Sequence, residues 1–326
     1  MKRIIFSHES DIDGMGGVIL SKIAFDKIDY ELFPNVDELE LKFRSYIEAN
    51  YFDKYDEIYI TDLSLLRLSI DMVNADDILK NKIRIFDHHQ RAIDDGLGNY
   101  SFVTIEEKNE DGKKRCATEI FYEYLYKNNM IIKDDTLDEF CELTRLEDTW
   151  TWRDNNPKAH DLAILFSAVG IEKYIDLMVK KIKNSDMTFS DEDLKTIKEK
   201  KDEYERELNK YIDSSLILTD EQNNRFGITF APYEYRNEIT DKIIMDGNKN
   251  NISYMIVVAL DKGDYGQKSY RSVVTGMDVN AVAKLHGGGG HPGAAGVYLT
   301  KEQRDYSLKL STNKALEYLA MCTYKN

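Results

Sequence analysis

A short apolar segment, Ile83-Arg84-Ile85-Phe86, ends abruptly in Asp87-His88-His89. Carboxylate and imidazole are the usual side-chain ligands of divalent cations. A polar cluster at the carboxyl end of a buried strand sits where open α/β sheets bind ligands. Taken alone, the same three residues also read as a helix-capping acid followed by two surface histidines. Other segments repeat the pattern. Residues 3–7 read as a buried strand running into His8, Asp11 and Asp13, with Gly14, Gly16 and Gly17 close behind. Those glycines permit close backbone approach, and the helix start that follows favours anions. Residues 57–61 read as a strand that delivers Asp62. Asp148 falls at the end of a helical stripe made of Leu137, Phe140, Cys141 and Thr144, where the helix dipole disfavours an acid and a cation would be a welcome partner. Individually, Asp62 also reads as a helix cap, the His8-to-Asp13 segment as a polar turn, and Asp148 as a solvated acid.

A second set of candidates suits anions. Arg271 sits inside a strand-like stretch, residues 267–274, where a guanidinium could fork onto a phosphate or face solvent. Gly287, Gly288, Gly289 and Gly290 precede His291, and Pro292-Gly293-Ala294-Ala295-Gly296 follows. Four successive glycines cost backbone entropy. Their amides can line an anion-binding nest, and His291 can hydrogen-bond a phosphate; a hinge is the alternative. Arg115 or Thr118, at a helix start, could touch a phosphate, or could serve only a cap and a core helix. Five of the six histidines, all but His160, lie at segment ends, within two residues of glycine or an acid, rather than inside elements.

The elements needed to position these groups are legible in the hydrophobic pattern. Strand-like residues 3–7, 30–33, 57–61 and 83–86 are separated by helical or polar segments, which predicts an α/β fold with a mainly parallel sheet flanked by helices over residues 1–189. In such a sheet the carboxyl ends share one edge, so side chains distant in sequence can meet. Residues 190–214 carry a narrow stripe (Leu194, Ile197, Tyr204, Leu208, Tyr211) among many charges, which predicts a linker helix. Residues 215–326 predict a smaller α/β domain with a mixed sheet.

Bulk composition narrows the function. The 326 residues favour two domains over one. A formal charge of −15 argues against holding a long duplex nucleic acid, which requires a basic face, but leaves room for a small anionic substrate. The three cysteines, Cys116, Cys141 and Cys322, form no C-x-x-C pair and suit a reducing compartment. No apolar run reaches the ~18 residues of a membrane span, and the chain begins directly in a strand with no signal peptide evident. The expected location is cytoplasmic, with no membrane partner; a homodimer is left open.

The ordered set His8, Asp11 and Asp13, then Asp62, then Asp87-His88-His89, then Asp148 resembles the four motifs of the DHH phosphoesterases. Ser269-Tyr270-Arg271-Ser272 with Gly287-to-Gly296 is similar to the DHH-associated C-terminal domain, so the resemblance spans nearly the whole chain. The wording around Ser7-His8 and Thr61-Asp62-Leu63-Ser64 looks closest to the oligoribonuclease (nanoRNase) group. The spacing His8-x-x-Asp11-x-Asp13 is one residue shorter than the H-x-x-x-D-x-D of many relatives. The resemblance implies two manganese ions: one on His8, Asp11 and Asp62, the other on Asp13, Asp62, His88 and Asp148, with Asp62 bridging. It places His89 near the phosphate and Asp87 as the group that orients a neighbouring imidazole. It assigns Arg271, Gly288, Gly289, Gly290 and His291 to substrate, and Arg115 joins them only as the phosphate candidate read from its own position. The implied activity is two-metal hydrolysis of short RNA to nucleoside monophosphates. Alternatives on the same site are a 3′,5′-bisphosphonucleotide phosphatase or a cyclic-dinucleotide phosphodiesterase, and, from another class, a nucleotide-binding sensor without turnover.

Overall fold

Runs rich in isoleucine, tyrosine and phenylalanine form the first sheet: β1 (Arg3–His8), β2 (Asp29–Phe33), β3 (Glu57–Thr61), β4 (Ile83–Asp87) and β5 (Val103–Ile105). The computed structural model describes residues 1–322. The strand order is β2-β1-β3-β4-β5 and every adjacent pair is parallel. Alternation along each strand sends side chains to opposite faces. Ile5, Tyr59 and Phe86 enter a core with helices Ile12–Ala24, Ala117–Lys127 and Asp135–Asp148. Ile4, Phe6, Ile58, Ile60, Ile83 and Ile85 enter the other core, with helices Val36–Glu48 and Arg67–Ala75. The expected α/β class with a parallel sheet is what the chain adopts. β5 escapes the sequence pattern: three residues are too short to show an alternation.

The chain forms two units, residues 1–200 and 201 onward. The boundary falls within the helix Asp191–Asp213. The second unit holds β6 (Leu216–Thr219), β7 (Arg225–Phe230), β8 (Tyr254–Ala259), β9 (Gln267–Ser272), β10 (Gly289–His291) and β11 (Ala294–Tyr298) in the order β10-β11-β9-β8-β7-β6. β7 and β8 pair in parallel and the remaining neighbours antiparallel, so this sheet is mixed. No helix among the described residues is long and apolar enough to cross a membrane.

β1 and β3 are adjacent in the first sheet, yet β2 lies on the outer side of β1 while β4 and β5 extend beyond β3. The connections therefore diverge between β1 and β3, the kind of switch point where a crevice opens above the carboxyl ends of parallel strands. His8 ends β1, Asp62 follows β3, and Asp87 ends β4.

Candidate metal centre

Asp62 lies at the centre of the cluster. It is 2% exposed and adopts the left-handed conformation at φ +59°, which costs a non-glycine residue on the order of 1 kcal/mol. Its amide donates to the Phe86 carbonyl at 3.0 Å, which ties the turn to β4. The two carboxylate oxygens face different neighbours. Oδ2 lies 3.5 Å from His8 Nδ1, and Oδ1 lies 3.4 Å from His88 Nε2.

On the Oδ2 side, His8 Nδ1 is also 3.0 Å from Asp11 Oδ2. His8 Nε2 lies 3.2 Å from the Pro34 carbonyl. A proton on Nε2, donated to that carbonyl, leaves the Nδ1 lone pair directed at the two carboxylates, the orientation of a ligating imidazole. His8, Asp11 and Asp62 thus form one group with convergent donor atoms.

On the Oδ1 side, His88 Nε2 is 3.6 Å from both Asp13 Oδ2 and Asp148 Oδ2. These separations are long for hydrogen bonds. They approach the separation of about 3.0–3.4 Å between two ligand atoms sharing one ion at ~2.1 Å each. The nitrogen is buried and has no hydrogen-bond partner. A buried imidazole nitrogen facing three carboxylate oxygens without bonding any of them fits a divalent cation among the four. Asp13, His88 and Asp148 form another convergent group, and Asp62 with Asp87, His88 and His89 forms a third.

The supports of these ligands come from distant segments. Asp13 is fully buried, and its carboxylate accepts the amides of Ala117 and Thr118, each at 2.8 Å, at the start of helix Ala117–Lys127. Positive potential at that helix end favours the charge. Thr118 Oγ1 donates to the Asp13 carbonyl, so both polar groups of Thr118 serve Asp13 and not an external phosphate. The close approach depends on Gly16: a Cβ there would lie 1.9 Å from Thr118 Oγ1. Gly17 likewise makes room for Thr61. Asp87 Oδ1 accepts from His89 Nδ1 at 2.7 Å and from the backbone amides of His88 and His89, while Ser64 Oγ donates to Oδ2 at 2.5 Å. Asp87 therefore fixes His89, whose ring is half exposed and whose other nitrogen is turned away from Asp87. The roles of Ser64 and the Pro34 carbonyl are not legible in the sequence; the one local hint for Ser64 is its position two residues after Asp62.

Without a cation the cluster recruits protons. Burial, and then the charge of Asp13, push the Asp62 carboxyl well above the ordinary carboxylate range. The same two causes raise Asp148 to about 8. Hydrogen bonds to Asp11 and Asp62, opposed by burial, raise His8 to about 10. Asp87 runs the other way: burial opposes ionisation, but bonds from His89 and Ser64 hold its carboxyl below the usual range. Several acids forced together at one buried point, with two of them driven toward neutrality, are characteristic of a site whose charge balance comes from bound cations.

Arg115 is placed elsewhere in the balance of charge. It is 5% exposed and its guanidinium is held by Glu106, Glu119 and Glu123. Each of its three guanidinium nitrogens is paired with a carboxylate of this chain, which gives the buried charge an internal counterpart in place of the expected phosphate. In the second unit, Arg271 donates to Asn237 Oδ1 at 2.8 Å and to the Tyr270 carbonyl at 2.9 Å, and no carboxylate lies within ion-pair distance among the described residues. Arg271, Ala294 and His291 are direct cross-strand partners on β9, β11 and β10, so they occupy one row of one sheet face. The glycine tetrad is not the open nest expected from sequence. The amides of Gly287, Gly288 and Gly290 donate to Lys284 O, Ala283 O and Asn280 Oδ1, and Gly289 and Gly290 belong to β10. What the glycines supply is close packing: a Cβ at Gly288 would lie 2.2 Å from the Gly296 carbonyl, whereas one at Gly289 would meet nothing nearer than 3.8 Å.

No family model matches the chain. The chain is 28% identical over 303 residues to oligoribonuclease NrnB of Bacillus subtilis (strain 168), an alignment covering 91% of this chain and 73% of that protein. Among solved structures it is similar to the DHH domain of a member of a ribosomal-protein family, with 13% identity, a TM-score of 0.51 and coverage of 99% of this chain and 88% of that one. It also aligns with exonuclease RecJ bound to manganese, at 14% identity and a TM-score of 0.47 over 98% of this chain and 94% of that one. The first of these two structures shares its fold.

Proposed function

We infer that this chain, a DHH phosphoesterase by its motifs and fold, is a divalent-cation-dependent phosphodiesterase that hydrolyses short oligoribonucleotides to nucleoside monophosphates. The observation that carries the reading is the divided carboxylate of Asp62. One oxygen faces His8 with Asp11 and the other faces His88 with Asp13 and Asp148, the arrangement of a bridging ligand. Sequence similarity to NrnB over most of the chain supports the substrate class.

His8, Asp11 and Asp62 would hold one ion, and Asp13, Asp62, His88 and Asp148 the other; manganese suits a set of oxygens with a few imidazoles. The chemistry those ions would supply is acidification of a bound water and neutralisation of phosphoryl charge. The chain supplies the rest. Asp87 holds the His89 ring in one orientation, so that its free nitrogen can donate to a phosphoryl oxygen as negative charge develops there. Bonding to Asp87 raises the basicity of His89, which favours the protonated, donating form. The amides of Ala117 and Thr118 hold Asp13 against recoil as the ligand set is occupied. Arg271 and His291, on one row of the second sheet, would grip a phosphate or terminal nucleotide.

The test is a substrate panel with added manganese: ribodinucleotides, longer RNAs, 3′,5′-bisphosphonucleotide and cyclic dinucleotides. Turnover of the ribodinucleotides to monophosphates is expected to exceed that of the others. Preference for bisphosphonucleotide or a cyclic dinucleotide would move the assignment to that phosphoesterase, and manganese binding with no turnover of any nucleotide would leave a sensor.

A further inference from the structure

A cavity of about 330 Å³ opens directly beside the cluster, within the first unit. One wall is made of ligand candidates and their support, His8, Asp62 and His89. Val36 at the start of helix Val36–Glu48, Leu63, Leu65 and Leu66 in the loop after β3, and Leu97 beyond β4 supply an apolar side, and the charged residues Asp37, Arg91 and Asp95 also line the cavity, Arg91 lying 3.9 Å from Asp95. Leu63, Leu65 and Leu97 belong to the buried core, so this lining is fixed, while Val36 and Leu66 are half-buried at the mouth.

A bare phosphate or a chain of phosphates would meet one cation, Arg91, already beside Asp95, and would leave the leucine side uncovered, whereas an uncharged apolar ligand would leave the carboxylate and imidazole wall unpartnered. The lining suits a molecule with an anionic end, held where the cations would sit, and a flat, largely apolar body beside it. Pockets of this size with mostly apolar walls and a few convergent polar groups are typical of small-ligand sites, and nucleobases present such a body to aliphatic side chains. Resting on the phosphodiesterase reading above, we propose that this cavity is a nucleoside pocket, which seats the base and sugar on one side of the phosphate bound at the Asp62 cluster. Val36 and Leu66 at its mouth then determine affinity for nucleotides over other phosphate compounds.

The experiment is calorimetric titration of the full chain, in manganese, with inorganic phosphate and separately with AMP and UMP. The wild-type protein is expected to bind the nucleotides at least ten-fold more tightly than phosphate. Val36→Trp and, independently, Leu66→Phe fill the mouth from half-buried positions. Each is expected to remove most of that advantage while leaving phosphate affinity and thermal unfolding near wild type. Equal wild-type affinity for phosphate and nucleotides overturns the proposal, as does a nucleotide advantage that survives in both folded variants. These readouts involve no turnover. A protein that hydrolyses no oligonucleotide yet shows the nucleotide advantage would refute the nuclease reading and keep the pocket.

Discussion

Replacing Asp148 with asparagine should change how the stability of the metal-free protein depends on pH. In the folded chain burial and Asp13 raise the Asp148 carboxyl to about 8, against 3.8 as its ordinary value. The folded state therefore holds a proton that the unfolded state has released between those two values. The stabilisation from this proton is complete below the unfolded value and is lost as pH rises through the folded one. The slope is about 1.4 kcal/mol per pH unit for one such group. Asp148→Asn keeps the shape and removes the titration, so the stability difference between variant and wild type should shift by roughly 3 kcal/mol in favour of the variant between pH 5 and pH 7. Denaturant unfolding in chelator at several pH values measures it, the variant absorbing contributions from all other acids. Saturating manganese should rescue the wild type at neutral pH, by about 2.7 kcal/mol at a hundred-fold excess over its dissociation constant, and rescue the variant less. Parallel pH profiles for the two proteins in chelator would refute the picture of a buried carboxylate cluster that repels itself.

Other consequences are as direct. Asp62→Asn should lower manganese-dependent dinucleotide hydrolysis by about 100-fold or more without loss of metal-free stability, since burial and Asp13 already drive that carboxyl toward the neutral form that the amide reproduces; unchanged turnover would end the bridging role. Arg115→Met strands three glutamates around a buried position and should lower unfolding stability by about 3–5 kcal/mol, with KM unaltered below the melting range; a raised KM with intact stability would restore it as a substrate contact. Gly288→Ala drives a Cβ into the Gly296 carbonyl and should destabilise the second unit by about 1–3 kcal/mol, while Gly289→Ala should be nearly neutral in stability, so any fall in its oligonucleotide affinity reports a ligand passing over that strand. Equal thermal shifts in the two glycine variants would contradict the packing described.

The sequence alone determined the fold class and which residue types are delivered to strand ends. Those features are local: an alternating or fully apolar run specifies a strand, and the residue that follows it is at its carboxyl end whatever the rest of the chain does. β1, β3 and β4 were legible for that reason, together with His8, Asp62 and Asp87-His88-His89 at their ends. The partner of each side chain was not. Arg115 resembled a phosphate ligand until Glu106, Glu119 and Glu123 were found around it. Thr118 and Ala117 turned out to hold Asp13, over 100 residues away in sequence. The glycine tetrad looked like a nest because a sequence shows amides but not the Ala283, Lys284 and Asn280 oxygens that occupy them. Only tertiary structure could turn Asp62 into the left-handed conformation that parts its two oxygens between His8 and His88. Hydrogen bonds and charges act over a few ångströms in space, and which groups come within that range depends on how strands far apart in the chain are laid side by side.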